Sequence, residues 1–222
     1  HRAGFLKNIV LKVYAQVERL IISGADAVIG TGTTLVRQVE AMNGEAEAHH
    51  VFDLPSSKVE ADDSMAAVIR AKWQQSPDEV LALYVGSFAV YQGVDLMFEA
   101  MAQAFAANTR LRLIVVGGSP AERAERTRWL EERRIADRVT FAGFVAPDEL
   151  PHHLRAVDML LSPRVSGVNS PLKMLDYLKI ARPIVATDLP ANRELVDDSH
   201  ALPVPAEPAA FAAGVLKIAA DP

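Results

Sequence analysis

The chain has 222 residues, half of them hydrophobic, and a formal net charge of -5 at pH 7. This length allows one large domain or two small ones, each with a proper core. The acidic balance argues against a general nucleic-acid-binding protein, which needs a basic face. The sequence contains no cysteine, which excludes disulfides, thiolate zinc sites and a cysteine nucleophile. These features fit a reducing compartment, and we expect a cytoplasmic protein.

The ends of the sequence suggest a piece of a longer protein. The first residue is His1 rather than Met, and the last residues, Asp221-Pro222, directly follow a helical pattern. No apolar run is long enough to span a membrane, and no signal peptide is visible at the start.

The first quarter of the chain predicts an amphipathic helix followed by two short strands around a short helix. The apolar residues of the opening segment recur every three or four positions, which is typical of a helix packed on a sheet. The predicted elements are a helix at Ala3–Ile22, a strand at Ala25–Ile29, a helix at Thr33–Met42 ended by Asn43-Gly44, and a strand at His50–Phe52. The next stretch, Asp53–Asp63, has no periodicity and is predicted to be a linker.

From residue 80 onward, strands and helices alternate regularly. Strands are predicted at Val80–Val85, Leu111–Val116, Val139–Phe141, Met159–Leu161, Ile184–Ala186 and Ala201–Val204. Helices are predicted at Val94–Ala106, from Ser119-Pro120 to about Arg134, and at Pro147–Ala156, Ser170–Ile180, Ala191–Val196 and Pro208–Ala219. Strands that are apolar on both faces indicate an α/β fold with a Rossmann-like parallel sheet covered by helices on both sides. In such folds ligands bind at the carboxyl ends of the strands.

The helix predicted at residue 170 suggests an anion site. Ser170 is a good N-cap, and Pro171 suits the first helical position. Leu172, Leu175 and Leu178 are predicted to face the core, and Lys173 and Asp176 to lie on the other face. A lysine in the first turn is disfavoured by the helix dipole unless an anion binds beside it.

Other loops at the same edge of the predicted sheet support a phosphate-bearing ligand. Gly86-Ser87 and Gln92-Gly93 bracket a loop that can approach a ligand closely, and Gly117-Gly118 offers backbone amides before a helix. Arg164 and Lys173 bring positive charge to this edge. The alternative is that the glycines only form tight turns and that both cations face solvent.

Three other parts of the sequence resemble functional motifs only weakly. Gly30 and Gly32 follow a strand, and a later strand leads to Asp53, which resembles a dinucleotide-binding motif; Leu35 replaces its third glycine, so the motif is weak. The paired histidines at 49–50 and 152–153 diverge in direction and have no neighbouring ligand cluster, so they are interpreted as surface or structural residues. The segment 117–120 lacks the form of a hydrolase nucleophile elbow.

The run from Tyr84 to Asp188 resembles the C-terminal, donor-binding domain of retaining GT-B glycosyltransferases, family 4, also called glycosyl transferases group 1. The matching segments are Tyr84–Gly86, Tyr91–Leu96, Leu113–Gly118, Val139–Val145, Ala156–Asp158, Ser162-Pro163 and Pro183–Thr187, in the same order and with similar spacing. The resemblance covers roughly half of the chain.

The resemblance implies site residues as well as a fold. It implies that Phe144 and Val145 lie along the nucleotide base, and that Gly167, Asn169, Ser170, Pro171 and Leu172 form the loop whose amides meet sugar and phosphate. Asp176 takes the place of the second of two family glutamates, which contacts the ribose, and Val168 replaces the first. The diphosphate-neutralising cations of the family are replaced by Ser87 and Gln92, and Arg164 and Lys173 are our hypothesis for their substitutes.

The resulting expectation is a retaining glycosyltransferase that uses a nucleotide-diphospho-sugar donor, such as a UDP- or GDP-sugar, without a cofactor or metal. Residues 1–58 are expected to be the tail of an acceptor-side domain with its hinge, and residues 59–222 the donor-binding domain, truncated at its C-terminus. The expected partners are the donor, an unknown glycan or lipid-linked acceptor, and a missing N-terminal domain that would make any peripheral membrane contact. No catalytic residue is assigned, and the fragment is expected to be inactive alone. The alternatives are a degenerate nucleotide- or protein-binding domain and an NAD-dependent oxidoreductase.

Overall fold

The computed structural model describes residues 2–42 and 46–221, and the chain divides into two compact units. The small unit comprises residues 1–53 together with 168–170. The large unit comprises residues 54–167 and 171–222.

The small unit contains two helices and a two-stranded parallel sheet. Its elements are α1 (Arg2–Ser23), β1 (Ala27–Gly30), α2 (Thr33–Met42) and β2 (Glu47–His50). In the sheet, Ala27 lies opposite Glu47 and Gly30 opposite His50. The strand predicted at residues 50–52 therefore begins earlier, because its backbone pairs with β1 through a polar segment that carries no apolar signal. The helix stop predicted at residues 43–44 lies outside the described residues.

The large unit is an α/β domain with a six-stranded, fully parallel sheet. Its strands are β3 (Val80–Val85), β4 (Leu111–Val116), β5 (Val139–Gly143), β6 (Met159–Ser162), β7 (Ile184–Thr187) and β8 (Leu202–Val204). Its helices are α3 (Asp63–Trp73), α4 (Val94–Ala107), α5 (Pro120–Glu132), α6 (Leu150–Arg155), α7 (Leu172–Ile180), α8 (Pro190–Arg193) and α9 (Pro208–Ala220). The strand order β5-β4-β3-β6-β7-β8 confirms the Rossmann-like fold class.

Two hydrophobic cores lie on opposite faces of this sheet. One packs α4 and α9 against residues such as Ala82, Leu113 and Leu161, and the other packs α3, α6 and α7 against residues such as Leu83 and Ile114. Neighbouring residues of one strand therefore enter different cores, so that β4 is buried along its whole length. This explains the continuous apolar strand patterns in the sequence.

Helices α3 and α6 differ from the predictions. Helix α3 was missed because it buries only Ala66 and Trp73, so its apolar periodicity is faint. Helix α6 begins at Leu150 rather than Pro147, since the residues before it form a turn.

Helix α7 begins two residues later than predicted and presents a different face. Its N-cap is Pro171, with extended backbone and no side-chain cap, so the assignment of Ser170 as N-cap was wrong. The buried positions include Met174, Tyr177 and Ile180, whereas Leu172 is 54% exposed. Packing against β3 and β6 selects this face, since the Tyr177 hydroxyl donates to Leu161 O and accepts from Val85 N.

Candidate functional site

The predicted site residues lie in loops at the carboxyl edge of the large unit's sheet, apart from Asn169 and Ser170. Those two residues and Val168 are grouped with the small unit. The large unit holds Gly86, Ser87, Gln92, Gly93, Gly117, Gly118, Phe144, Val145, Arg164, Gly167, Pro171, Leu172, Lys173 and Asp176. Most of these follow β3, β4, β5 or β6, and the last four residues, from Pro171 on, lie at the start of α7 or within it.

The loops after β3 and β6 are joined closely at Gly93. This residue has a φ of 71°, and a Cβ placed on it would lie 1.8 Å from the carbonyl oxygen of Pro163. Beside it, the amide of Val165 donates to Tyr91 O at 3.0 Å. Glycine at 93 is therefore explained by the contact between the two loops, which brings residues of α4, β6 and the 86–93 loop together.

Lys173 reaches this loop from the first turn of α7. Its ammonium donates to Gln92 Oε1 at 2.8 Å and lies 4.4 Å from the centre of the Tyr84 ring. A Cβ on Gly86 would lie 3.2 Å from the same nitrogen. Burial, and to a lesser degree the positive charge of Arg164, lower the pKa of Lys173 to about 7. A bound anion would therefore stabilise the charged form of Lys173.

Arg164, the second predicted cation, lies in the interior of its loop. The residue is 2% exposed, and its Nε donates to the carbonyl oxygen of Ser166 at 2.7 Å. The guanidinium carbon lies 5.5 Å from the centre of the Tyr91 ring. Burial lowers the pKa of Arg164. Arg164 is therefore near enough to Lys173 for its charge to act on that residue, but its side chain is buried inside the loop. Its contact with phosphate remains a prediction.

The N-terminus of α5 is capped by side chains of the same helix start. Ser119 Oγ accepts from the amide of Glu122, and the Glu122 carboxylate accepts from the amide of Ser119 at 2.7 Å. The amide of Gly117 donates to Gly143 O at 2.7 Å. The prediction of bare amides at Gly117-Gly118 was thus wrong for Gly117, whereas the Ser-Pro helix start at 119–120 is confirmed.

The start of α7 differs from that of α5. Its N-cap residue, Pro171, makes no side-chain cap hydrogen bond, and a lysine rather than a glutamate lies in its first turn. Since free N–H groups at a helix N-terminus favour negative charge, α7 is better suited than α5 to an anion. Helix α7 has nine residues and carries Lys173 in its first turn, so the helix dipole and the lysine charge both contribute positive potential there.

Asp176 and Phe144 have contrasting environments. Asp176 is 8% exposed, and its Oδ1 accepts from the amide of Ser56 at 2.7 Å. Burial raises the pKa of Asp176 despite this hydrogen bond. Phe144 follows β5 and is 85% exposed, so its ring is accessible to a planar group. The ribose and base contacts of these residues remain predictions.

A buried polar cluster below the site was not found from the sequence. Thr187 donates to the carbonyl oxygen of Arg164 at 2.5 Å, and Asn192 Nδ2 donates to Thr187 O at 2.8 Å. Both residues are 1% exposed. The cluster anchors the loop after β6 to the end of β7. A polar residue directly after an apolar strand was the available signal, but it could not identify the partner.

The remaining predicted sites have structural explanations. A Cβ on Gly30 would lie 2.9 Å from Val36 Cγ2, so packing against α2 accounts for this glycine. His152 Nδ1 accepts from the amide of Asp62 at 3.0 Å, a structural role as interpreted from the sequence. Within residues 2–42 and 46–221, no group of His, Cys, Asp and Glu is arranged to hold a metal ion, and no helix could cross a membrane.

Comparison with known proteins identifies the family. Residues 79–221 match the family model described as "Glycosyl transferases group 1". The D-inositol 3-phosphate glycosyltransferase of Stackebrandtia nassauensis is 33% identical over 133 residues, which cover 56% of this chain and 30% of that protein. The chain also matches two other curated relatives over less than half of their length. It covers 31% of an alpha-D-kanosaminyltransferase of Streptomyces kanamyceticus and 48% of an O-antigen chain mannosyltransferase of Escherichia coli.

Solved structures agree in fold. Alr3699/HepE of Anabaena, solved with UDP and glucose, aligns with a TM-score of 0.74 at 17% identity, over 89% of this chain and 54% of that one. Sucrose-phosphate synthase of Thermosynechococcus elongatus aligns with a TM-score of 0.78 at 22% identity, over 95% and 53% of the two chains. At these identities the likeness establishes the fold alone.

Proposed function

The chain belongs to the group 1 glycosyl transferases, and on that premise we propose that its large unit binds the diphosphate of a nucleotide-sugar donor. The reaction would transfer the sugar to a glycan or lipid-linked acceptor with retention of configuration, and this chain would supply donor binding. The observation that carries the proposal is the ammonium of Lys173, held at the carboxyl edge of the sheet beside the uncapped start of α7. A diphosphate there would meet both the charge and the N–H groups.

The proposed roles follow the order of the loops along the sheet. Phe144 and Val145, after β5, would lie along the base, and Asp176 would reach the ribose once its contact with Ser56 loosens. The diphosphate would lie near Gly86 and Lys173. A related fold binds UDP, because HepE was solved with that nucleotide, so UDP is the first ligand to test.

Titration of the chain with UDP, GDP, ADP and NAD by isothermal calorimetry tests this function. We expect saturable binding of one nucleoside diphosphate and weaker binding of uridine or guanosine, which lack the phosphates. Absence of binding by a folded chain would refute the proposal and favour a degenerate domain that recognises protein, an alternative consistent with Val168 in place of an acid. Binding of NAD alone would also refute it.

We also propose that donor binding occurs without turnover in this chain alone. The measurement is release of nucleoside diphosphate from UDP-glucose in the presence of a range of glycan acceptors. Sugar transfer by the 222-residue chain would contradict this part while leaving the donor site intact.

A further inference from the structure

We propose that the positive charge facing the diphosphate is carried by Lys173 from α7 and aimed by Gln92, which acts as its positioning residue, whereas Arg164 organises the loop after β6. The inference rests on the proposed donor site and deepens it, because it divides roles between two cations that the sequence does not distinguish.

The surroundings of Lys173 restrict its ammonium to one place. Gln92 Oε1 accepts one N–H bond at 2.8 Å, the Tyr84 ring lies at 4.4 Å, and on a third side the absence of a Cβ at Gly86 leaves room for the ammonium. A lysine ammonium has three donors, so two remain after the bond to Gln92. Among the described residues no carboxylate lies within ion-pair distance of this nitrogen, and the neighbouring charge, Arg164, is positive.

A cation in this setting favours an incoming anion. Its charge is partly desolvated, is not neutralised by an acid of the described chain, and is held by a neutral side-chain amide. An amide can orient the ammonium without cancelling its charge, whereas a carboxylate at position 92 would cancel it. Gln92 is therefore a residue type suited to positioning.

Arg164 has a different environment. Its side chain is 2% exposed, its Nε is bonded to Ser166 O, and a Cβ on Gly167 would lie 2.1 Å from its Nη2. The carbonyl oxygen of Arg164 accepts the hydroxyl of Thr187. Through these contacts, both the side chain and the backbone of Arg164 stabilise the conformation of the loop.

Reciprocal exchange of the two side chains tests the division. Because the ends of the side chains at 92 and 173 meet, a lysine at 92, one bond longer than glutamine, can place its ammonium near the present site. We expect Lys173→Gln to weaken UDP binding on the order of tenfold to a hundredfold, with uridine affinity unchanged. The double variant Q92K/K173Q should recover most of the lost affinity. The control, Lys217→Gln, makes the same charge change on an exposed position of α9 and should leave binding unchanged.

A second variant separates positioning from a purely structural role. Gln92→Glu forms an ion pair with Lys173, so we expect a higher Tm but weaker UDP binding than in the wild type. A structural role alone would move stability and affinity in the same direction.

The outcomes distinguish this inference from the proposed function. UDP binding by the wild type that survives Lys173→Gln overturns the inference and leaves the donor site standing. A double variant that has a native Tm but binds as weakly as K173Q overturns it as well. Absence of nucleotide binding by the wild type, with GDP tested beside UDP, overturns both.

Discussion

Donor binding should depend on pH through Lys173. The pKa of this lysine is lowered to about 7 by burial and by Arg164. A diphosphate binds the charged ammonium more strongly than the neutral amine, so bound anion raises the pKa of Lys173 again. Affinity is therefore highest below pH 7 and falls as pH rises through that value, until the pKa of the bound form is reached.

The size of the effect follows from the fraction of charged lysine. With a pKa of about 7, about nine tenths of the molecules carry the ammonium at about pH 6 and about one tenth at about pH 8. Apparent affinity scales with the competent fraction, so it should fall about tenfold over this interval. Binding at about pH 7 should take up about half a proton.

UDP-glucose is the better probe, because the terminal phosphate of UDP itself has a pKa of about 6. Calorimetry in buffers of different ionisation enthalpy gives both the affinity and the number of protons taken up. Lys173→Arg should bind without pH dependence over the same interval, since an arginine stays charged. A flat profile in the wild type, or a tenfold slope that persists in Lys173→Gln, would refute the reasoning.

Two further predictions concern the scaffold that holds the site. The Asp158 carboxylate accepts two bonds from Arg70, at 2.9 and 3.0 Å, and one from the buried amide of Leu81 at 2.7 Å. Asp158→Ala should therefore lower the free energy of unfolding by about 2–4 kcal/mol in urea titrations. Asp158→Asn can still accept from Leu81 and should lower it by less. Equal losses in the two variants would contradict this account. Ser119→Ala removes the reciprocal cap with Glu122 and should cost about 1 kcal/mol, whereas Ser119→Thr retains it; a neutral alanine variant would show that the cap does not contribute.

Local features of the large unit could be read from the sequence. Leu111–Val116 is apolar apart from Arg112, and the structure confirms a strand with the same bounds, because a central parallel strand is buried on both faces. Ser119-Pro120 predicted a helix start, and the capping box is formed by residues three apart. The helical spacing of Val94, Met97, Phe98, Met101 and Phe105 places them on one face of α4, and all five are buried. Each of these signals depends on neighbours in the chain.

The start and face of α7 could not be read in this way. Ser170-Pro171 carries the same Ser-Pro signal as residues 119–120, yet the helix begins at Leu172 with Pro171 as its N-cap. Leucines at 172, 175 and 178 suggested one apolar face, but contacts with β3 and β6 place Met174 and Tyr177 in the core instead. Two candidate apolar faces cannot be ranked without the surface against which the helix packs.

The sequence by itself determined the class of fold, the order of its strands and of every helix of the large unit except α3, and the edge of the sheet at which charged and glycine-rich loops gather. Only the tertiary structure decided which side chains the two predicted cations contact there. Lys173 meets Gln92 across 81 positions, and Asp176 meets Ser56 across 120. Local hydrogen bonding and side-chain periodicity act over a few residues and are visible in the chain. A contact between distant side chains depends on how the sheet brings its loops together, which no local pattern records.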